Sequence, residues 1–319
     1  MPYKKTPPSA IKLIEKEKQE KTGVLDLFNC GLSYVPEEIQ EMTWLTVLGI
    51  SKNYSWSMEK LSWQHKFLYP EAINDLIELP EWLTSLSKLE SLSISGSKLS
   101  NLECLSALEE LEYLSINGPR SLKIDLLSLS GLKNLSCLEL NGQGNVDLAL
   151  LSSLEKLKNL SLSCDSYTHI GQLKQIEEIS IRSLNQIQAN EINQLQKLKK
   201  LTISGDQVNS LSIIKNLSNL KTFSFSGNKV TDLSHLMGLS SLQNLYFSGI
   251  KVSDISPLAE LSNLETLNFA ATEINELNHL SGLVNLQTLS FGGNGVSDLS
   301  PLSDLINLQY LNCAECIFR

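Results

Sequence analysis

The sequence predicts a right-handed α/β solenoid: a horseshoe or arc with a parallel β-sheet on its concave face and short 3-10 or α turns on its convex face. Three observations predict it. A pattern Leu-x-x-Leu-x-x-Leu-x-Leu recurs, in most steps at an interval of 22 residues, with one step of 24 (Leu108 to Leu132) and one of 19 (Leu154 to Leu173). Only 6% of the 319 residues are aromatic, too little ring bulk for one compact core of that size. In three repeats a short Val-x-Asp-Leu/Ile-Ser segment follows, at Val230, Val252 and Val296, too brief for a full helix.

At the N-terminus, residues 1–22 hold six Lys and three Glu. No apolar run follows Met1–Pro8, so no secretory leader is expected. Residues 9–21 follow a Pro-Pro pair and begin with Ser9, a favourable N-cap, and Ile11 and Ile14 share a helical face. A short helix covering the first repeat's core is expected; the apolar face is too small for a membrane-surface helix.

The first units lie at Leu25-Asp-Leu27 and Leu45-Thr-Val47-Leu48-Gly-Ile50. Residues 51–80 then interrupt the frame. This insertion holds Trp56, Trp63, His65, Phe67 and Tyr69. Two readings stand: a loop folded on the flank with its aromatics buried, or a binding loop in which Trp56, Trp63, Phe67 and Tyr69 contact a partner.

The frame resumes at Leu86 and continues through Leu108, Leu132, Leu154, Leu173 and Leu195. Its most regular copies are Leu217-Ser-Asn-Leu220-Lys-Thr-Phe223-Ser-Phe225, Leu239-Ser-Ser-Leu242-Gln-Asn-Leu245-Tyr-Phe247 and Leu261-Ser-Asn-Leu264-Glu-Thr-Leu267-Asn-Phe269. Two more begin at Leu283 and Leu305, giving about thirteen units over 23–319. The closing Leu-x-Leu alternates with period two, so it is a short strand with both leucines inward. One such strand cannot bury its own face, but parallel stacking produces a continuous core. The last unit reads Cys313-Ala-Glu-Cys316-Ile-Phe-Arg319 and has no polar cap. Its edge is expected to be covered by another subunit, a following domain or its own last residues.

These repeats resemble the bacterial leucine-rich-repeat family of internalin-like, 22-residue type. The opening Leu25-Asp-Leu27-Phe-Asn-Cys30-Gly-Leu32-Ser-Tyr-Val35-Pro36 also resembles, locally, the first repeat of leucine-rich regions attached to Roco-type GTPases, although the chain contains no Gly-x-x-x-x-Gly-Lys-Ser/Thr loop. The family resemblance implies an Asn five residues after the strand-opening Leu, bonded inside the turn. Only Asn228 and Asn294 match that column. Pro119, Leu184 and Ile250 cannot bond there through a side chain, so looser or differently bonded turns are expected at those places.

Composition bears on function. The net charge is -9, and the chain beyond residue 22 carries -12, since residues 1–22 contribute +3. Nucleic acid and anionic membrane are poor partners for such a surface, and a basic protein suits it. No stretch is long and apolar enough to span a bilayer. The six Cys, at 30, 104, 137, 164, 313 and 316, form no paired framework, which points to a reducing, cytoplasmic setting.

No catalytic, metal or cofactor site is expected. Cys313 and Cys316 fall on inward repeat positions, and a zinc site would need two further ligands. His235 and His279 share one repeat slot on the convex side, and no spacing places a nucleophile beside a base. Asp232, Asp254, Glu276 and Asp298 stand 22 apart and read as turn caps, or as a recognition stripe for a basic partner. The concave strand positions are mostly Ser, Thr and Asn. Against them Tyr113, Glu139, Glu178, Arg182, Lys200, Tyr246 and Tyr310 stand out as candidate partner contacts. The sequence thus predicts a non-enzymatic protein-binding scaffold. Two alternatives are the sensor arm of a larger signalling protein such as a Roco-like GTPase, and an inhibitor or immunity protein that blocks a toxin.

Overall fold

A computed structural model describes residues 5–51, 73–99, 101–122, 125–182, 189–205, 208–227 and 229–314. The chain divides into two compact units, Met1–Thr168 and His169–Arg319.

The first unit opens with helix α1 (Pro8–Glu20) and carries strands β1 (Val24–Asp26), β2 (Val47–Ile50), β3 (Ser91–Ser95), β4 (Tyr113–Leu122), β5 (Cys137–Asp147) and β6 (Asn159–Thr168). They pair in parallel and in chain order. Register follows the repeat: Leu48, Leu92, Leu114, Leu138 and Leu160 form one column, and all are buried.

The second unit carries β7 (Glu178–Arg182), β8 (Lys200–Ser204), β9 (Thr222–Ser226), β10 (Asn244–Ser248), β11 (Thr266–Ala270), β12 (Thr288–Ser290) and β13 (Tyr310–Asn312), with a short α2 (Ala189–Ile192) after β7. These strands too are parallel and sequential. Phe225, Phe247, Phe269 and Phe291 stack at ring-centroid distances of 5.4, 5.6 and 5.7 Å. Where earlier repeats use Leu or Ile, this column is therefore a buried aromatic spine.

Between strands the chain makes 3-10 turns, such as Leu126–Leu129, Leu148–Leu151, Leu211–Ile214 and Ser300–Leu302. One carbonyl per repeat then launches the next strand: Glu112 N–H and Tyr113 N–H both donate to Glu90 O, and Gln243 and Asn244 likewise to Lys221 O. The expected solenoid arrangement of strand and 3-10 turn is thus present in each unit.

Helix α1 covers β1, but its details differ from expectation. Pro7, not Ser9, occupies the N-cap position, and no side chain caps it. The covered face is Ala10, Ile14 and Glu17, with Ile11 only half-buried. Glu17 is 4% exposed, and its carboxylate accepts from Gly23 N–H at 2.8 Å, Trp44 Nε1–H at 3.0 Å and the Thr22 hydroxyl. A buried carboxylate therefore fastens the helix to the first repeat, and Lys21 lies over the Trp44 ring.

The frame also returns sooner than the expected insertion bounds of 51–80. Asn74 is 1% exposed; its amide donates to Leu27 O and Ser51 O, and its Oδ1 accepts from Leu32 N–H. Asn294 bonds in the same way, donating to Phe269 O and Phe291 O and accepting from the Thr272 N–H and hydroxyl. Asn74 thus fills the turn-asparagine place of the second repeat, and Leu76 two residues on is buried like Val296.

Where the turn column lacks Asn, backbone takes over. Strands β4, β5 and β6 run on through the turn, and Gln143, Asn145, Val146 and Asp147 pair with Cys164, Ser166, Tyr167 and Thr168. The register slips at Gly142, whose φ is +80° and where a Cβ would meet Gly118 O at 1.5 Å. Only glycine fits such a bulge. At Ile250 the side chain turns into the core, and Gly249 N–H bonds to Ala270 O. Leu184 and Asn228 lie outside the described residues. A second asparagine ladder occupies another column: Asn134, Asn219, Asn263, Asn285 and Asn307 donate to carbonyls of the preceding repeat at 2.8–2.9 Å.

Candidate binding face

Strand alternation sends the residues between the core columns to the open face of the sheet. On β2 to β4 of the first unit this face is not available, whereas Asn159, Ser161 and Ser163 on β6 are half-buried. Val47, Ser93, Ser95, Ser115 and Asn117 are at most 5% exposed. Tyr113, expected as an exposed anchor, is 8% exposed and packs with Phe28 and Val47, and with half-buried Val24 and Cys137. The register Val47, Ser91, Tyr113 explains why: the short Ser91 leaves room for the ring to reach an apolar residue two strands away. Glu139 is half-buried and accepts from the Ser115 hydroxyl at 3.3 Å. Alongside, Asn117 donates to Ser51 Oγ and Ser115 Oγ, and Asn141 donates to Asn117 Oδ1. Tyr113 and Glu139 are parts of a buried polar and apolar cluster.

The second unit presents an open face. Glu178 and Lys200 are cross-strand partners with a 3.5 Å ion pair, both about half exposed. Arg182 is exposed at the other end of β7. Tyr246 is half-buried on β10 between Ser224 and Asn268, two strands from Lys200, roughly 10 Å away by strand spacing. Tyr310 is 55% exposed on β13. The structure therefore brings Glu178, Lys200 and Arg182 onto neighbouring strands and leaves Tyr246 and Tyr310 further along the same face. Trp56, Trp63, Phe67 and Tyr69 lie outside the described residues.

Three members of the acidic column, the aspartates, are turn caps. Asp232, Asp254 and Asp298 accept from the N–H groups of Ser234, Ser256 and Ser300 at 2.7–2.8 Å. The Ser234 hydroxyl and then its N–H hold Asp232 below the usual carboxylate range. For Asp254 and Asp298 the N–H leads and the hydroxyl follows. Asp125 and Asp147 cap their turns in the same way.

Cys30 and Cys164 are core thiols. Burial, ahead of any charge, pushes Cys30 and Cys164 up to about 11, so neither is a thiolate near neutrality. Cys313 is half-buried and Cys316 lies outside the described residues. Among the described residues no three His, Cys, Asp or Glu side chains cluster to hold a metal, and no helix is long and apolar enough to cross a membrane.

Residues 218–260 and 284–318 match the family model for leucine rich repeats, two copies. These segments are leucine-rich repeats. No curated protein matches the chain. Among solved structures, an internalin (inlF) from Listeria monocytogenes superposes with a TM-score of 0.66 at 22% identity, over 95% of this chain and 84% of that one. Internalin C2 from the same species gives 0.51 at 28% identity, over 60% and 84%. A TLR13–ssRNA13 complex gives 0.62 at 21% identity, over 85% of this chain and 44% of that one. The fold is the leucine-rich-repeat solenoid, similar in structure to internalins.

Proposed function

We propose that this leucine-rich-repeat chain is a non-enzymatic scaffold that holds a protein partner on the open face of the second unit. One observation carries the reading. The repeat fixes a flat array of side chains whose backbone is already satisfied, and Arg182, Lys200, Glu178 and Tyr246 project from it at exposed or half-exposed positions. Such an array is pre-organised, so binding orders few groups, and Arg and Tyr are the types that most often anchor interfaces. Leucine-rich repeats commonly serve as interaction scaffolds, which supports the same class.

The fold by itself is compatible with RNA, as the TLR13–ssRNA13 complex illustrates for that protein. Charge argues for protein here. The net charge is -9, and of the two cations named on this face Lys200 is already paired with Glu178. Phosphate binding needs several free cations. A cytoplasmic location belongs to the same proposal and rests on the cysteine spacing, which suggests no disulfide framework.

The test is affinity capture from the source cell with wild-type protein and an Arg182→Ala/Lys200→Ala variant. A protein recovered stoichiometrically by wild type and lost with the variant is the expected result. Equal recovery by both would place the partner elsewhere.

A further inference from the structure

Beyond β8 the open face changes character. Among the described residues, no open-face position of β9 to β12 carries a charged side chain, in a chain where 19% of residues are charged. Apart from Ala270, the positions hold hydroxyls and amides around one ring. Ser224, Ser226, Tyr246, Ser248, Asn268 and Ser290 are all half-buried. Among the described residues their side chains make no hydrogen bond to other protein groups, which leaves their donors and acceptors for a ligand.

Three features narrow the ligand. With no charge on this patch, ion pairs contribute nothing and a charged group would lose its hydration without compensation. The core of a protein interface brings apolar and aromatic bulk and Arg, whereas this patch offers a single Tyr on a floor of short hydroxyls. The register sets Ser224, Tyr246, Asn268 and Ser290 side by side on successive strands, so they form a straight row with a pitch of about 4.8 Å. A linear molecule laid along that row meets one hydrogen-bonding group per strand.

We infer that β9 to β12 form a site for a neutral oligosaccharide, lying across the strands with one sugar stacked on Tyr246. A pyranose has an apolar C–H face, which the Tyr246 ring covers, and a rim of hydroxyls that both donate and accept. Ser and Asn side chains supply the complementary groups on either side. The adjacent charged residues of β7 and β8 take no part, and Tyr246 is the one residue this site shares with the protein contact proposed above.

The experiment is calorimetric titration and ligand-observed NMR of the whole chain with named probes: neutral cello-, xylo-, manno- and malto-oligosaccharides, with polygalacturonate fragments and a serine-rich neutral peptide as contrasts. Tyr246→Ser places on β10 the residue that β9 and β12 already hold in that row, so folding is preserved. The expected result is that at least one neutral sugar binds, that raising salt leaves its affinity unchanged, and that Tyr246→Ser weakens it roughly tenfold or more. Arg182→Ala/Lys200→Ala leaves it unchanged. The inference is overturned if no neutral sugar binds, if only the anionic fragments or the peptide bind, or if Tyr246→Ser binds as tightly as wild type.

Discussion

The Glu17 carboxylate sits 4% exposed beneath the first repeat and collects hydrogen bonds from Gly23, Trp44 and Thr22. Truncating it strands the Gly23 and Trp44 N–H groups, and a stranded buried donor costs about 1–3 kcal/mol. Glu17→Ala is therefore expected to lower the urea midpoint clearly, while Glu17→Gln, which retains an acceptor oxygen, lowers it less. Trp44 fluorescence reports the transition beside the site. Equal midpoints for the Ala and Gln variants would mean that the hydrogen bonds contribute nothing. Nothing in the sequence distinguishes Glu17 from Glu15 or Glu20, because only docking on β1 selects which carboxylate is buried. Tyr113 teaches the converse. Its position in the strand was legible, yet its burial depends on the size of Ser91 and the apolar nature of Val47, both distant in sequence.

The turns are the elements in which the repeat shows its chemistry. Strand positions followed directly from the leucine spacing, because alternation leaves one way to bury both core columns. Turn bonding did not, since three devices do the same work: the asparagines at 74 and 294, the continued strands of β4 to β6, and the glycine links beside Ile250. Asn74 was recoverable in principle, because Asn74-x-Leu76 repeats the spacing of Asn294-x-Val296. The capping aspartates make a pH prediction. Asp232, Asp254 and Asp298 titrate below their ordinary value when folded. A depressed folded pKa gives stability that is present above the unfolded carboxylate pKa and lost as pH falls through the folded value. The melting temperature of wild type should therefore fall in the acid range below the ordinary aspartate value of 3.8. The triple variant Asp232→Asn, Asp254→Asn, Asp298→Asn keeps a capping oxygen but cannot titrate, so its loss over the same acid range should be smaller. Parallel acid limbs for the two proteins would show that the caps carry no pH-dependent stability.

At the scale of the molecule, the second unit is a stack in which each repeat touches its neighbours, and its stability should be a sum of local terms. The Phe247 ring tests this, lying between Phe225 and Phe269 at 5.4 and 5.6 Å. Phe247→Ala opens a cavity in a column that cannot collapse without breaking register, at a cost of about 3–5 kcal/mol. In a compact globule that loss would be felt by every buried amide. In a stack it is felt by the two repeats that pack on the hole. Native-state hydrogen exchange should then show protection falling in β9, β10 and β11, while β7 and β13 keep their wild-type rates. Phe247→Leu should restore most of the protection, since Leu and Ile fill the same column at Leu140, Leu162, Ile181 and Ile203. A uniform drop across β7 to β13 would mean that the unit unfolds as one body. The open face would then owe its rigidity to the whole unit, and a lesion anywhere in the core would loosen the grip of Arg182 and Tyr246 alike.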